Sequence, residues 1–503
     1  MGQVMAKKVI IIGGGLAGLS AGCYAAMNGF DVQIFEHHSI PGGVAATWKR
    51  GGYIIDGGIH FVAGYKPGNG MHKILDELGA AEPALFTDMK DYGNFIHEPS
   101  GVSVQINGDI EKLSAKLKSM APADIGIIED FFKGVKAFRG HDFSTMGMTN
   151  PPELATVFSR IKEIWQMRSI VKYFTGPCIK KISDYVADIQ TPWLKDFFCN
   201  LFLSESPVWF PMLYLAIVAD KQAGFLAKGC LPFVLAIEKR YKALGGKISY
   251  RSTVAKILVD NNRAVGVRLA DGQEYRGDYV ISCGDGYNAV FNLLNGDYTD
   301  EIVKDRYETW PLCRPFLTIS YGVNRLFKNE LPLNTVILKK PLVIGNEQVE
   351  SFLIRILNYS DHFAPAGKSV FQIELETGFD YWYKLQESDR KNYEDEKQWV
   401  AAALLQQVEK YYPGISRDVE VIDVATPYTM WRYTLNNKAS WGGWLLGADN
   451  MMEVIERSLP GLSNFYMAGH WVMGGVPGVI LSGRHAVQLI CRDEKQKFKA
   501  KSF

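Results

Sequence analysis

The chain has 503 residues, enough for two domains or one large elaborated one. Its 55 basic and 54 acidic side chains leave a net charge of +1, which provides no field for holding nucleic acid. Seven scattered cysteines, with no C-x-x-C and no Cys/His cluster, exclude a recognisable metal motif or disulfide framework.

In chain order, Val9–Ile12 is a short β-branched run that reads as a buried parallel strand. It enters Gly13-Gly14-Gly15-Leu16-Ala17-Gly18, a G-x-G-x-x-G turn. A helix follows until Asn28-Gly29, then a second strand, Asp31–Phe35, ending in Glu36. Gly13 makes the tight turn, Gly15 admits a pyrophosphate to the backbone, and Gly18 lets helix and strand pack closely. The helix N-terminus offers unpaired N–H groups to the phosphates. A carboxylate at Glu36 suits a pair of ribose hydroxyls and repels a 2′-phosphate. Strand, turn, helix, strand and acid in this order predict a dinucleotide-binding unit. The fingerprint occurs once, so a second stably bound nucleotide is not expected.

Ile40–Gly64 is glycine-rich, without helical period, and is expected to be an irregular loop system lining a ligand. The pattern next predicts a helix over Met71–Ala81 and a hairpin over Tyr92–Ile106. Helical stretches follow at Ile127–Phe138, Glu153–Tyr173, Ile182–Val186 and Pro192–Leu203. Within this insertion Phe197–Ala219 is the most apolar part, expected either as the insertion's own core or as a tunnel or membrane-facing surface. Its longest apolar run, Val208–Ala219, contains Pro211 and falls short of the ~18 residues of a membrane span. The glycine turn starts too early for a cleavable signal to precede it, so the expected location is the cytoplasm. Pro232–Leu244 reads as a helix, Lys247–Tyr250 and Asp278–Ser282 as strands, and Val254–Val259 with Ala264–Leu269 as a hairpin. Phe316–Val323, Thr335–Leu338, Ser351–Leu357 and Ser369–Glu376 suggest an antiparallel sheet, and Tyr383–Tyr412 a charged helical region. Asn464–Ala468 is a strand, Pro477–Cys491 a helix, and Arg492–Phe503 a frayed tail.

The glycine turn with Glu36, then Gly42-Gly43…Thr47…Gly52…Asp56-x-Gly58, Gly245-Gly246…Val254-x-x-Ile257…Gly266-Val267 and Tyr466-x-Ala468-Gly469…Gly475-x-Pro477-Gly478…Ser482-Gly483 resemble the FAD-dependent phytoene desaturase superfamily. That group holds carotenoid desaturases and isomerases and retinol saturases, among the amine-oxidase-like flavoproteins. The resemblance implies an α/β fold: a Rossmann-like, glutathione-reductase-like FAD-binding domain of residues 1–65, 226–290 and 461–503. Residues 66–225 and 291–460 would form an inserted substrate domain of antiparallel sheet plus helices. By the same resemblance Gly13, Gly15 and Gly18 hold the pyrophosphate, Glu36 the ribose, Gly42 and Gly43 the diphosphate, and the Val254 backbone the adenine. Gly469 and the helix start Val476-Pro477-Gly478-Val479 lie against the isoalloxazine, with Leu16, Ala17, His37, Val44, Gly58, Ile59 and His60 completing the cofactor contacts. Two departures stand out. Val44 occupies a position where the family often has Arg or Lys, leaving Lys49 or Arg50 to substitute, and His470 replaces a common acid.

The implied activity is FAD-dependent oxidoreduction at carbon–carbon bonds of a long apolar carotenoid, isoprenoid or lipid, by hydride transfer at flavin N5. Desaturation, saturation and isomerisation all remain open. A flavin amine or porphyrinogen oxidase, or a non-enzymatic prenyl-binding escort protein, are the alternatives of the same fold. His60, Tyr433 and Trp441 are the catalytic candidates, the last two as aromatics past the flavin face; no metal is expected. A membrane-borne substrate would imply peripheral docking through Phe197–Ala219. The sequence gives no oligomeric state.

Overall fold

The first strand, β1 (Lys8–Ile12), is almost wholly buried because it is the middle of a five-stranded parallel sheet. Its neighbours are β2 (Asp31–Phe35) and Tyr279–Ser282, flanked by Lys247–Ser249 and Phe465–Met467. A strand buried on both faces can be apolar throughout, and Val9-Ile10-Ile11 is. The helix α1 (Leu16–Met27) packs on Cys230–Ala243 and on the C-terminal helix Gly475–Asp493. That last contact needs Gly483, where a Cβ would lie 2.3 Å from the Ala17 carbonyl oxygen. The computed structural model describes residues 6–501 apart from 143, 146–147, 157–160, 162–164, 166 and 452. The expected helix Glu153–Tyr173 thus lies partly outside the described residues.

The second layer is a seven-stranded sheet in the order Val419–Ala425, Phe316–Val323, Ser369–Glu376, Glu347–Ile356, Leu333–Ile344, Gly93–His97, Val102–Ile106. It is mixed rather than purely antiparallel: Leu333–Ile344 pairs in parallel with Gly93–His97, joining two segments far apart in the chain. Beside it, Ile110–Met120, Ile125–Phe138, Pro192–Cys199 and Trp209–Ala219 enclose an aromatic core around Phe131, Phe132, Phe138, Phe197 and Phe198.

Local chemistry explains the other differences from expectation. Residues 40–64 are not all irregular: Ala46–Arg50 and Tyr53–Gly57 pair across Gly51-Gly52, both at positive φ as a tight hairpin turn requires. Asn261 and Asn262, also at positive φ, turn the expected hairpin Val254–Asp260/Arg263–Leu269, to which Glu274–Arg276 adds an unforeseen third strand. The charged helical region is two helices, Phe379–Ser388 and Arg390–Val408. Asp389 ends the first and caps the second through the Asn392 N–H at 3.0 Å. The tail is anchored, not frayed, as far as it is described: Phe498 packs on Tyr24, and the Lys499 N–H donates to Asn28 Oδ1 at 2.7 Å. Among the described residues no helix is long and apolar enough to cross a membrane, and no cluster of side chains is fit to hold a metal.

Candidate cofactor and substrate site

The two sheets and the helical insertion surround one cavity of about 1910 Å³, well beyond the roughly 300–1,000 Å³ that a single drug-sized ligand fills. One end is the glycine turn, with Gly13, Gly15, Leu16, Ala17 and Glu36 on its wall. Gly42, Gly43, Val44, Gly58, Ile59 and His60 continue it, followed by Gly469, His470 and Val476–Val479. Beyond them an apolar arm runs between Phe174, Phe202, Trp209, Phe210, Leu213, Tyr214 and Ile217. The structure therefore turns Trp209 and Phe210 toward the cavity, against Phe174 and Phe202, rather than making Phe197–Ala219 an outer face.

At the nucleotide end, Glu36 is buried and accepts from the Gly14 N–H at 2.5 Å and the His38 N–H at 2.6 Å. These bonds fix the carboxylate while leaving lone pairs toward the cavity; burial raises its pKa against the pull of both N–H groups. Three residues singled out from sequence do not line the cavity. A Cβ on Gly18 would lie 1.9 Å from the Gly13 carbonyl oxygen, so its work is helix–strand approach. His37 turns aside to Thr253 Oγ1 at 2.7 Å, and His38 faces the cavity instead. Val254 is packed in the core with Ile10, Ile12 and Phe35.

The residues fit FAD, on two observations. Gly42, bridged to Gly15, and Gly43 both run at positive φ, and a Cβ on Gly43 would lie 3.7 Å from the Gly15 Cα, so bare backbone lines the cradle there. Farther along, His470 Nε2 and Trp441 Nε1 are buried polar atoms with no protein partner on residues that line the cavity. Burial lowers the His470 pKa to about 4, so it is neutral at pH 7.

His60 belongs to a buried charge network that sequence reasoning missed. Its Nε2 donates to Glu374 Oε2 at 2.8 Å; Glu374 Oε1 accepts from Arg355 Nη1 at 2.6 Å. Arg355 also donates to the Asp56 carbonyl at 3.3 Å. Burial would raise the Glu374 carboxyl, but Arg355 and then His60 outweigh it and hold it at about 2. Arg355 and Glu374 lie on adjacent strands, where Leu353 pairs with Glu374 and Arg355 with Gln372. Charges set inside two otherwise apolar runs, Arg355 in SFLIRIL and Glu374 in VFQIELE, were the signal available.

The two aromatic candidates separate. Trp441 stacks on Phe316, centroids 5.9 Å apart. Tyr433 is 41% exposed and edge-on to His38 at 4.7 Å, which puts it at the Glu36 end of the cavity. They do not form one cage: Tyr433 lines the cavity beside His38, and Trp441 lines it beside Phe316.

A family model described as flavin-containing amine oxidoreductase matches residues 16–491. Chloroplastic prolycopene isomerase of Arabidopsis thaliana is 24% identical over 450 residues, covering 86% of this chain and 73% of its own. A 4,4'-diapophytoene desaturase of Methylomonas sp. is 25% identical over 402 residues, covering 73% and 72%. Among solved structures, an oxidoreductase from Methanosarcina mazei superposes with TM-score 0.61 at 17% identity, covering 96% of this chain and 100% of that one. Putrescine oxidase bound to putrescine gives 0.62 at 14%, covering 97% and 100%. These two show the shared fold. With the glycine cradle, the chain belongs to the flavin-containing amine oxidoreductase family, as an FAD-dependent oxidoreductase of the superfamily that includes carotenoid isomerases and phytoene desaturases.

Proposed function

We propose that this enzyme acts on carbon–carbon double bonds of a long apolar polyene of the carotenoid type. The observation that carries the reading is the single cavity joining the glycine turn to the apolar arm between Trp209 and Ile217. FAD supplies, when bound, a carrier of two electrons whose ring nitrogen N5 takes or gives hydride. The protein's own part is to bind, dry and orient. Phe202, Trp209, Phe210 and Tyr214 form an aromatic stack that a rigid planar chain can lie against while water is kept out. The helix opening at Gly475 turns its first N–H groups toward the cavity, where they favour negative charge. His60, held by an ionised Glu374, is the group placed to give or take a proton at Nδ1.

Peripheral membrane contact fits a different surface from Phe197–Ala219. Trp165, Val171 and Ile179 are exposed, with Arg168, Lys172 and Lys180 close by in sequence, next to the cavity-lining Met167 and Phe174. Apolar side chains interspersed with basic ones are what an anionic interface binds.

The reading is tested by giving the holoenzyme, oxidised and reduced in turn and without oxygen, a poly-cis carotene, an all-trans carotene and an amine. Chromatographic change of a carotene alone supports it; turnover of the amine alone defeats it.

A further inference from the structure

The dinucleotide end carries a charge imbalance. Two phosphate groups must lie along a turn built of Gly13–Gly18 and Gly42–Val44, in which no side chain is cationic. Partial charges on backbone N–H groups are the turn's only offset. Among the described residues lining the cavity the lysines and arginines are Arg50, Arg314, Arg390, Lys397, Arg432 and Arg457. Four are committed: Arg50 to Asp423 at 2.7 Å, Arg314 to Glu347, Lys397 to Glu394 at 3.0 Å and Arg457 to Glu153 at 3.7 Å. Arg390 opens the helix Arg390–Val408, at the seven-stranded sheet's flank.

Arg432 is different in place and partner. The His37 Nε2–H donates to its carbonyl at 3.2 Å, and its neighbour Tyr433 touches His38, whose own N–H holds Glu36. This anchors the last turn of the helix Pro427–Thr434 beside the end of β2. The guanidinium lies over the Tyr433 ring, 4.6 Å from its centroid, and donates to that hydroxyl; no carboxylate pairs with it among the described residues.

We propose that Arg432 is a cofactor-binding residue that supplies the cation for the FAD diphosphate from the seven-stranded-sheet side of the cavity. The inference rests on the dinucleotide lying in the glycine turn. It makes the bound cofactor a tie between the two layers, because the charge on one and the cradle on the other close on the same group. The competing role is local, a cation offsetting its own helix's C-terminal dipole.

The test uses full-length enzyme freed of flavin, then titrated with FAD and with riboflavin, which has the ring system and no phosphate. Arg432→Ala is expected to weaken FAD binding about 10- to 100-fold, the range for losing a charge-assisted hydrogen bond, and to leave riboflavin binding unchanged. Arg432→Lys recovers part of the loss, keeping charge without the two-pronged geometry. FAD affinity should also fall less steeply with added salt in Arg432→Ala than in wild type. FAD affinity within about twofold of wild type, or an equal loss for FAD and riboflavin, overturns the proposal. A wild-type protein that takes up no FAD would defeat the placement of the dinucleotide as well.

Discussion

Arg355 and Glu374, 2% and 4% exposed at their side chains, form an ion pair at 2.6 Å inside the wall of the cavity. The pair stands behind His60, which makes the other carboxylate contact at 2.8 Å. Ions that deep are tolerated only as a set, since each alone would carry the full cost of leaving water.

Replacing Glu374 with Gln leaves Arg355 buried without its ion-pair partner, with only Asp56 nearby to offset its charge. The expected loss is about 3–5 kcal/mol of stability, read as a lowered urea midpoint with an unchanged slope. The wild-type pH dependence follows from the same group. Its folded carboxyl titrates at about 2 against an ordinary 4.5, so its stabilisation is complete above pH 4.5 and is lost as pH falls toward 2. That loss amounts to roughly 3 kcal/mol, and Glu374→Gln should not show it.

Asp285 shows the opposite sign. Its carboxylate accepts from the Asn437 and Asn288 N–H groups at 2.8 and 2.7 Å, yet burial raises its pKa from 3.8 to about 6. A folded pKa above the unfolded one favours the folded state at low pH, and that favour disappears as pH rises from 3.8 through 6. The Asp285→Asn variant should lose this slope, so the wild-type-minus-variant stability falls by roughly 3 kcal/mol between pH 3.5 and 7. A flat difference in chemical denaturation would contradict the burial of this group.

The helix pair α1 and Gly475–Asp493 meets without side chains at Gly483. Gly483→Val is expected to cost about 1–3 kcal/mol by overpacking and to weaken FAD retention, because the glycine turn and the Val476–Val479 start are carried by these two helices. Calorimetry and flavin release on heating measure the two effects together.

The surface and the arm separate by mutation. Trp209→Ser with Phe210→Ser should reduce polyene uptake and leave partition onto anionic vesicles unchanged. Trp165→Ser with Val171→Ser should do the reverse. Cosedimentation with vesicles and absorbance of bound polyene distinguish them.

The local elements were legible where one residue's chemistry decides the backbone. β1, α1 and β2 were read from strand, glycine turn and terminal acid, and the Asn261-Asn262 turn from its composition. What was hidden depends on partners distant in sequence. Glycines at 51 and 52 looked like an irregular loop, although in a hairpin turn they permit regular pairing on either side. The parallel join of Leu333–Ile344 to Gly93–His97 has no local signature at all. The apolar run at Trp209 could not reveal which way it faced, because a cavity wall and an outer surface share one composition. Arg355 and Glu374 gave a sign, as charges set among apolar neighbours in their strands, but their link to His60 is a matter of tertiary geometry.

The most direct measurement is product analysis after anaerobic incubation of the FAD-loaded enzyme with a poly-cis carotene, in the oxidised and reduced states. The account predicts conversion to a geometric isomer or a product differing by two hydrogens, abolished when Trp209 and Phe210 are both Ser. An unchanged carotene in both states, with rapid flavin bleaching by a simple amine, would contradict it.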